Sequence, residues 1–134
     1  MPAPDAAELA REWVTLAVAD LRAARPAAVS SDMEPRHACF LAQQAAEKAI
    51  KAAYVLDQVD FPYVHDLNQL RGGLPFGWQV PGDEAKLEWL TRWATEARYP
   101  GHRAATRPDS ERAIELADQI CAAVGQGFDQ RGAQ

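Results

Sequence analysis

The sequence has 134 residues and a formal net charge of −5 at pH 7, with 48% hydrophobic and 25% charged residues. This length and composition are typical of one globular domain; they exclude global disorder and any need for disulfide or metal cross-links. The negative charge excludes a general attraction for nucleic acid, so RNA or DNA binding would have to use a local basic patch.

The two cysteines, Cys39 and Cys121, stand inside helical patterns and lack the spacing that holds zinc. We expect buried apolar side chains, with a redox role as the alternative, and we expect neither a metal nor a cofactor. The N-terminus lacks the basic start and apolar core of a signal peptide, and no apolar run approaches the length of a membrane span. The expected protein is therefore cytoplasmic, without membrane contact.

Helical periodicity begins close to the N-terminus. Asp5, with a carboxylate three residues further on, predicts a helix start, and apolar residues at helical spacing continue to Pro26, where we expect the helix to end. Residues 27–34 predict a loop. Pro35 then suits the first turn of a second helix, which runs to about Leu56.

This second helix has two unlike faces. Alanines cover one face and allow close packing against other helices. The opposite face is a polar stripe about 140° wide, formed by Arg36, His37, Phe40, Gln43, Gln44, Glu47, Lys48, Lys51 and Tyr54. The spacing alone favours a solvated surface with an ion pair between Glu47 and Lys51. The alternative is one wall of a binding site.

The second half of the chain predicts one short helix and two long helices. Asp66 is expected to cap the short helix, and His65 before it is expected to be a loop residue with a structural hydrogen bond. After an irregular linker, Asp83 starts a helix that Pro100 ends. Thr106 then begins the last helix with a capping box.

These patterns define the fold class. No stretch alternates with period two, so we expect an all-α, antiparallel (up-and-down) helical bundle of four long helices plus one short helix. A single domain covers residues 1–134, with residues 1–4 and about 126–134 frayed. Trp89 and Trp93 lie one turn apart and are expected either in the core or on a docking surface.

A candidate phosphodiester site follows the fourth predicted helix. Arg98 at a helix end can grip a phosphate through two donors, and the imidazole of His102 can carry a proton to or from a ribose hydroxyl. Arg103 and Arg107 add a small basic patch. The alternative is that Arg98 and His102 cap the helix C-terminus by binding its free carbonyls.

Three stretches carry a family resemblance: FLAQQAAEKAIKAAY at residues 40–54, VHDLNQL at 64–70 and ATEARYPG at 94–101. In this order and combination they resemble a small stand-alone prokaryotic HEPN domain. The resemblance implies an antiparallel helical bundle, a homodimer and a minimal nucleotidyltransferase partner in a toxin-antitoxin-like pair.

The resemblance also implies a function. Many family members are metal-independent ribonucleases in which four to six residues separate an Arg from a His, whereas only three separate Arg98 from His102 here. It therefore favours a nucleotide- or RNA-binding module, whose site would use Gln44, Glu47, Lys48, Lys51 and, as a stacking face, Tyr99. The alternatives are a ribonuclease toxin using Arg98 and His102, and a non-catalytic dimerisation or interaction module.

Overall fold

The computed structural model describes residues 5–95, 100–101 and 103–132. Within these residues all regular structure is helical, which confirms the all-α fold class. The helices are α1 (Ala6–Val29), α2 (Pro35–Leu56), α3 (Leu67–Gly72), α4 (Glu84–Thr91) and α5 (Arg107–Gln130).

The central helix of the bundle is α2, which contacts each of the other four helices. Its alanine face is buried as predicted, with side chains that are at most 2% exposed at Ala42, Ala45, Ala46, Ala49, Ala52 and Ala53. Small side chains let α1 and α5 approach α2 closely, while α3 and α4 pack against each other and against α2. Neighbouring elements also enclose part of the polar stripe of α2, whereas Arg36 at its start is exposed.

The first helix does not end at Pro26 but continues to Val29, so the predicted end is wrong. A proline inside a helix removes one backbone donor and crowds the preceding turn. Burial of Ala27 and Ala28, which are 3% and 7% exposed, favours continuation of the helix. The amide of Ser30 closes the last turn on the Pro26 carbonyl at 3.1 Å.

The predicted caps are present, but α4 is shorter than expected. Asp66, Asp83 and Thr106 each accept a backbone amide at the start of α3, α4 and α5. After 8 residues α4 ends at Thr91, and backbone bonds spanning three residues replace the helical pattern as far as Thr95. The described residues thus contain three long and two short helices, in place of the predicted four and one.

The C-terminal end of α5 is held in place up to Gln130, which corrects the predicted frayed tail. Phe128 is 5% exposed, and its ring lies 6.1 Å from that of Trp78 in the linker before α4. The indole of Trp78 donates to Asp57 at 2.7 Å, and the Arg131 guanidinium lies 3.8 Å from its ring centroid. The linker therefore joins the ends of α2 and α5.

A second contact fixes α3 on α2. Tyr54 is 1% exposed, and its hydroxyl donates to the Leu70 carbonyl at 2.6 Å. A Cβ atom at Gly73 would collide with that hydroxyl. A residue without a side chain is therefore required immediately after α3.

Candidate functional site

Three polar side chains on consecutive turns of α2 are buried. Gln43, Glu47 and Lys51 are 0%, 5% and 9% exposed, so this part of the stripe is not the solvated surface that spacing alone favours. Burying charged groups costs free energy unless they are paired and hydrogen-bonded. Each of the three must therefore have close partners.

Glu47 lies at the centre of this group. Its Oε1 accepts from the Gln43 amide at 3.1 Å and lies 2.8 Å from His65 Nδ1, while its Oε2 accepts from Lys51 Nζ at 3.1 Å. Burial acts to raise the pKa of Glu47, but the bonds from His65, Gln43 and Lys51 outweigh it and hold that pKa below its usual range. Glu47 is an ionised carboxylate with both oxygens engaged.

His65 joins this group from the loop before α3. Its Nδ1 faces Glu47, and its backbone carbonyl accepts from the Gln43 amide at 3.4 Å. The side chain is nevertheless 58% exposed, and its second ring nitrogen bonds to no described residue. We call Gln43, Glu47, Lys51 and His65 the polar cluster. Its solvent-exposed member is the imidazole ring of His65.

The structural hydrogen bond predicted for His65 is thus present, but its partner was not predictable from sequence spacing. The two residues of the pair are 18 positions apart and meet only because α3 folds back on α2. Asp66 positions the loop by capping α3, accepting from Asn68 at 2.9 Å and from Gln69 at 3.2 Å. The VHDLNQL stretch was the available signal, since it pairs the histidine with this cap.

The remaining stripe residues lie beside the polar cluster. Lys48 binds Asp20 of α1 at 2.5 Å, and their side chains are 25% and 21% exposed. Gln44 donates to the Gln43 side-chain oxygen at 2.6 Å. Gln44 and Lys48 therefore lie next to the polar cluster on α2 without bonding to Glu47 or Lys51, and Lys48 and Lys51 each have a carboxylate partner.

An aromatic chain borders the polar cluster. The Lys51 ammonium lies 4.9 Å from the centroid of the Phe61 ring, a cation–π distance. Phe61 makes edge contacts with Trp13 at 5.5 Å, Tyr54 at 6.3 Å and Tyr63 at 5.8 Å. Because Tyr63 is 95% exposed, this chain of aromatic contacts leads from the core to a ring at the surface.

The other predicted site residues, Arg98, Tyr99 and His102, lie outside the described residues. Before this segment, the Leu67 amide donates to Thr91 Oγ1 at 3.1 Å. This bond holds the last residue of α4 beside the loop that carries His65.

The basic patch predicted near His102 is partly neutralised. Arg103 makes two bonds to the carboxylate of Asp109, at 3.0 Å and 3.3 Å. Asp109 also belongs to the capping box of α5. Arg103 therefore has a structural role at this helix start, while Arg107 is exposed.

The tryptophan pair packs largely inward. The rings of Trp89 and Trp93 meet at 5.9 Å and 83°, and Trp93 is 6% exposed. The Arg112 guanidinium lies 4.3 Å from the Trp89 ring centroid. The core alternative is therefore correct for Trp93, and Trp89 is partly covered.

Neither a metal cluster nor a membrane span is found in the described part of the chain. Its histidine, cysteine and acidic side chains form no group of three that could hold a metal ion. None of its helices combines the length and apolarity needed to cross a bilayer.

The chain is thus an α-helical bundle around an alanine-rich central helix, with a buried glutamate bonded to a histidine from the following loop. The sequence pattern of the HEPN domain matches residues 10–127. The chain belongs to the HEPN domain family.

Two solved structures are similar to this chain. The crystal structure of TT1696 from Thermus thermophilus has 34% sequence identity and a TM-score of 0.75, and the match covers 87% of this chain and 96% of that one. ST0689, an archaeal HEPN homologue, has 24% identity, a TM-score of 0.65, and coverage of 89% and 97%. A comparison with curated protein sequences finds no significant match.

Proposed function

We propose that this HEPN domain binds a nucleotide or an RNA at the polar cluster and its surroundings, as a homodimer that works with a minimal nucleotidyltransferase in a toxin-antitoxin-like pair. One observation carries the binding proposal. A buried, ionised glutamate, Glu47, fixes an exposed imidazole, that of His65, in a cluster whose Lys51 contacts the Phe61 ring.

Stability alone is a poor reason to keep such a cluster. Replacing a buried ion pair with apolar side chains of similar volume is often neutral or stabilising. The pairing of Glu47 with Lys51 therefore suggests a role in positioning other groups. Titratable residues with shifted pKa values are common at functional sites. In this case the positioned group is His65, because its second nitrogen faces no described residue.

The net charge of the protein is negative, but the basic side chains at and beside the polar cluster can attract a phosphate. Lys48 is the more accessible lysine, with a side chain 25% exposed against 11% for Lys51. A phosphate oxygen can bind the outer nitrogen of a protonated His65 and can compete with Asp20 for the Lys48 ammonium. Lys51 would act mainly by holding Glu47 in place.

The proposed binding site also includes Arg98 and Tyr99, which follow α4 in the sequence. The bond between Leu67 and Thr91 holds the end of α4 beside the loop that carries His65. In this arrangement Arg98 would bind the phosphate through two donors and Tyr99 would offer a second stacking face.

Calorimetric titration of the purified protein with ATP, other nucleotides and short RNA tests the binding proposal. We expect binding by the wild type that weakens roughly ten- to a hundredfold in His65→Ala and in Arg98→Ala, since one charge-assisted hydrogen bond is worth roughly 1.5–3 kcal/mol. His37→Ala, in the first turn of α2, is the matched control. Absence of binding by the wild type, or undiminished binding by both variants, would contradict the proposal.

The partner proposals rest on the family and require separate tests. Sedimentation equilibrium should give twice the chain mass of 14.7 kDa if the protein is a homodimer. Copurification with the product of a neighbouring nucleotidyltransferase gene tests the second partner. A monomeric mass, or failure of the two proteins to associate, would overturn the corresponding proposal.

A metal-independent ribonuclease is the second candidate function. The observation that favours it is the His65 ring, held on one nitrogen by a buried carboxylate and open on the other, which suits general acid–base chemistry. Such an enzyme would use Arg98 and His102, with His65 as a further acid–base group. RNA cleavage that depends on His102 would establish this function, and its absence under binding conditions would exclude it.

A further inference from the structure

A surface cavity of about 550 Å³ opens on the side of Phe61 that adjoins the start of α1. Leu9 and Val55 provide apolar walls, and the loop after α2 contributes Gln58, Asp60, Phe61 and Tyr63. This volume lies within the range of roughly 300–1,000 Å³ that is usual for small-ligand sites. Phe61 also contacts Lys51, so one ring connects the cavity with the polar cluster.

The wall at Gln58 has a conformation that normally favours glycine. Gln58 has φ of 58° and follows the C-cap Asp57. The backbone amide of Gln58 donates to the Val55 carbonyl, and that of Val59 donates to the Tyr54 carbonyl. These two bonds form the helix-ending motif in which glycine is usual, because other side chains are strained at positive φ. A long amide side chain is therefore kept at the rim of the cavity at some cost in stability.

The polar groups of the cavity match a base rather than a phosphate. Asp60 is exposed and makes no ion pair with any described residue, so its carboxylate can accept hydrogen bonds but would repel an anion. Tyr63, 95% exposed beside Phe61, offers an aromatic face of the kind on which bases stack. The ammonium of Lys51 contacts the same Phe61 ring, 4.9 Å from its centroid.

Guanine is the base whose edge complements this arrangement. Its Watson–Crick edge presents two adjacent N–H donors, which a carboxylate accepts together, and a neighbouring carbonyl, which an amide donor such as that of Gln58 can bind. Adenine presents one donor beside an acceptor, cytosine one donor beside two acceptors, and uracil one donor between two acceptors. Only guanine can satisfy both oxygens of Asp60.

We propose that this cavity binds the guanine base of a nucleotide or an RNA, with Asp60 reading the Watson–Crick edge and Tyr63 stacking on the ring. The proposal rests on the proposed function, because it directs the phosphate across Phe61 toward the polar cluster.

The test compares guanosine, adenosine, cytidine and uridine monophosphates by calorimetric titration of the full chain. We expect guanosine monophosphate to bind about tenfold more tightly than the others, as for one two-bond base contact. Asp60→Asn should abolish that preference, and Tyr63→Ala should weaken all four about tenfold. Asp32→Asn and Phe76→Ala, at exposed loop positions elsewhere, are the matched controls and should leave affinities unchanged.

The outcomes separate this proposal from the one on which it rests. Equal affinities for the four nucleotides, still reduced by His65→Ala, would overturn the guanine pocket and leave phosphate binding at the polar cluster intact. A guanine preference unaffected by Asp60→Asn would also overturn it. No binding of any nucleotide or RNA would overturn both proposals.

Discussion

Glu47 links the stability of the domain to pH. Its pKa is held below the usual value by His65, Gln43 and Lys51 against the opposing effect of burial. Its contribution is therefore complete above the unfolded-state pKa of about 4.3 and is lost as the pH falls through the lower, folded-state pKa.

Replacing this carboxylate should show that dependence. We expect Glu47→Gln to lower the free energy of unfolding near pH 7 by on the order of 3 kcal/mol, since Lys51 is left buried without a counter-charge. The difference from wild type should shrink below about pH 4. Urea denaturation at several pH values measures it, with the exposed Glu115→Gln as control. A loss of equal size at acidic and neutral pH would contradict this account.

The two cysteines should resist alkylation in the folded protein. Burial raises the pKa of both the Cys39 and the Cys121 thiol to about 11, and the thiolate is the reactive form. Mass spectrometry after iodoacetamide treatment at pH 7.5 should find little modification in native buffer and rapid modification of both in denaturant. Cys39, at 0% exposure, should be the slower to react. Fast native labelling of either thiol would refute this expectation.

At the scale of the helix, two glycines of α5 should respond in opposite directions to the same change. A Cβ at Gly127 would collide with the Trp78 ring, whereas a Cβ at Gly125 meets nothing within 4 Å. We expect Gly127→Ala to destabilise the fold by about 1–3 kcal/mol. Gly125→Ala should stabilise it by roughly 0.5–1 kcal/mol, because alanine loses less backbone entropy in a helix. Thermal unfolding monitored by circular dichroism compares the two variants. A rise in Tm for both would show that the Trp78 ring moves aside at little cost.

Helix starts were predictable from the sequence because their signals are local. Asp5, Asp66, Asp83 and Thr106 cap the residues that follow them directly. Helix ends were less predictable because distant contacts decide them: burial carries α1 past Pro26, and the linker tryptophan orders the end of α5.

In the candidate site, too, local contacts were predictable from the sequence and distant contacts were not. Spacing along α2 brings Glu47 and Lys51 together, and the polar stripe was visible in the sequence. Its burial and its contact with His65 depend on how α3 returns to α2, which no local pattern contains. Tyr63 and Asp60 carry no periodic signal because they lie in an irregular loop.

At the scale of the molecule, the contacts of α2 with all other helices predict one cooperative unfolding transition. The four tryptophans report on tertiary packing and circular dichroism reports on helix content. We expect both signals to change at the same urea concentration, as for a two-state domain. A fluorescence change that precedes the loss of helix would instead mean that the packing around the tryptophans is lost before the helices unfold.

The contact between Tyr54 and the residue after α3 has an evolutionary consequence. The tyrosine hydroxyl occupies the space that a side chain at position 73 would need, so the two positions must change together. Homologues that keep the tyrosine should keep Gly73, and homologues with a larger residue there should have lost the hydroxyl. Gly72, with open space around it, should vary freely. Paired variation at 54 and 73 would thus record, across the family, the same contact that fixes α3 on α2 in this chain.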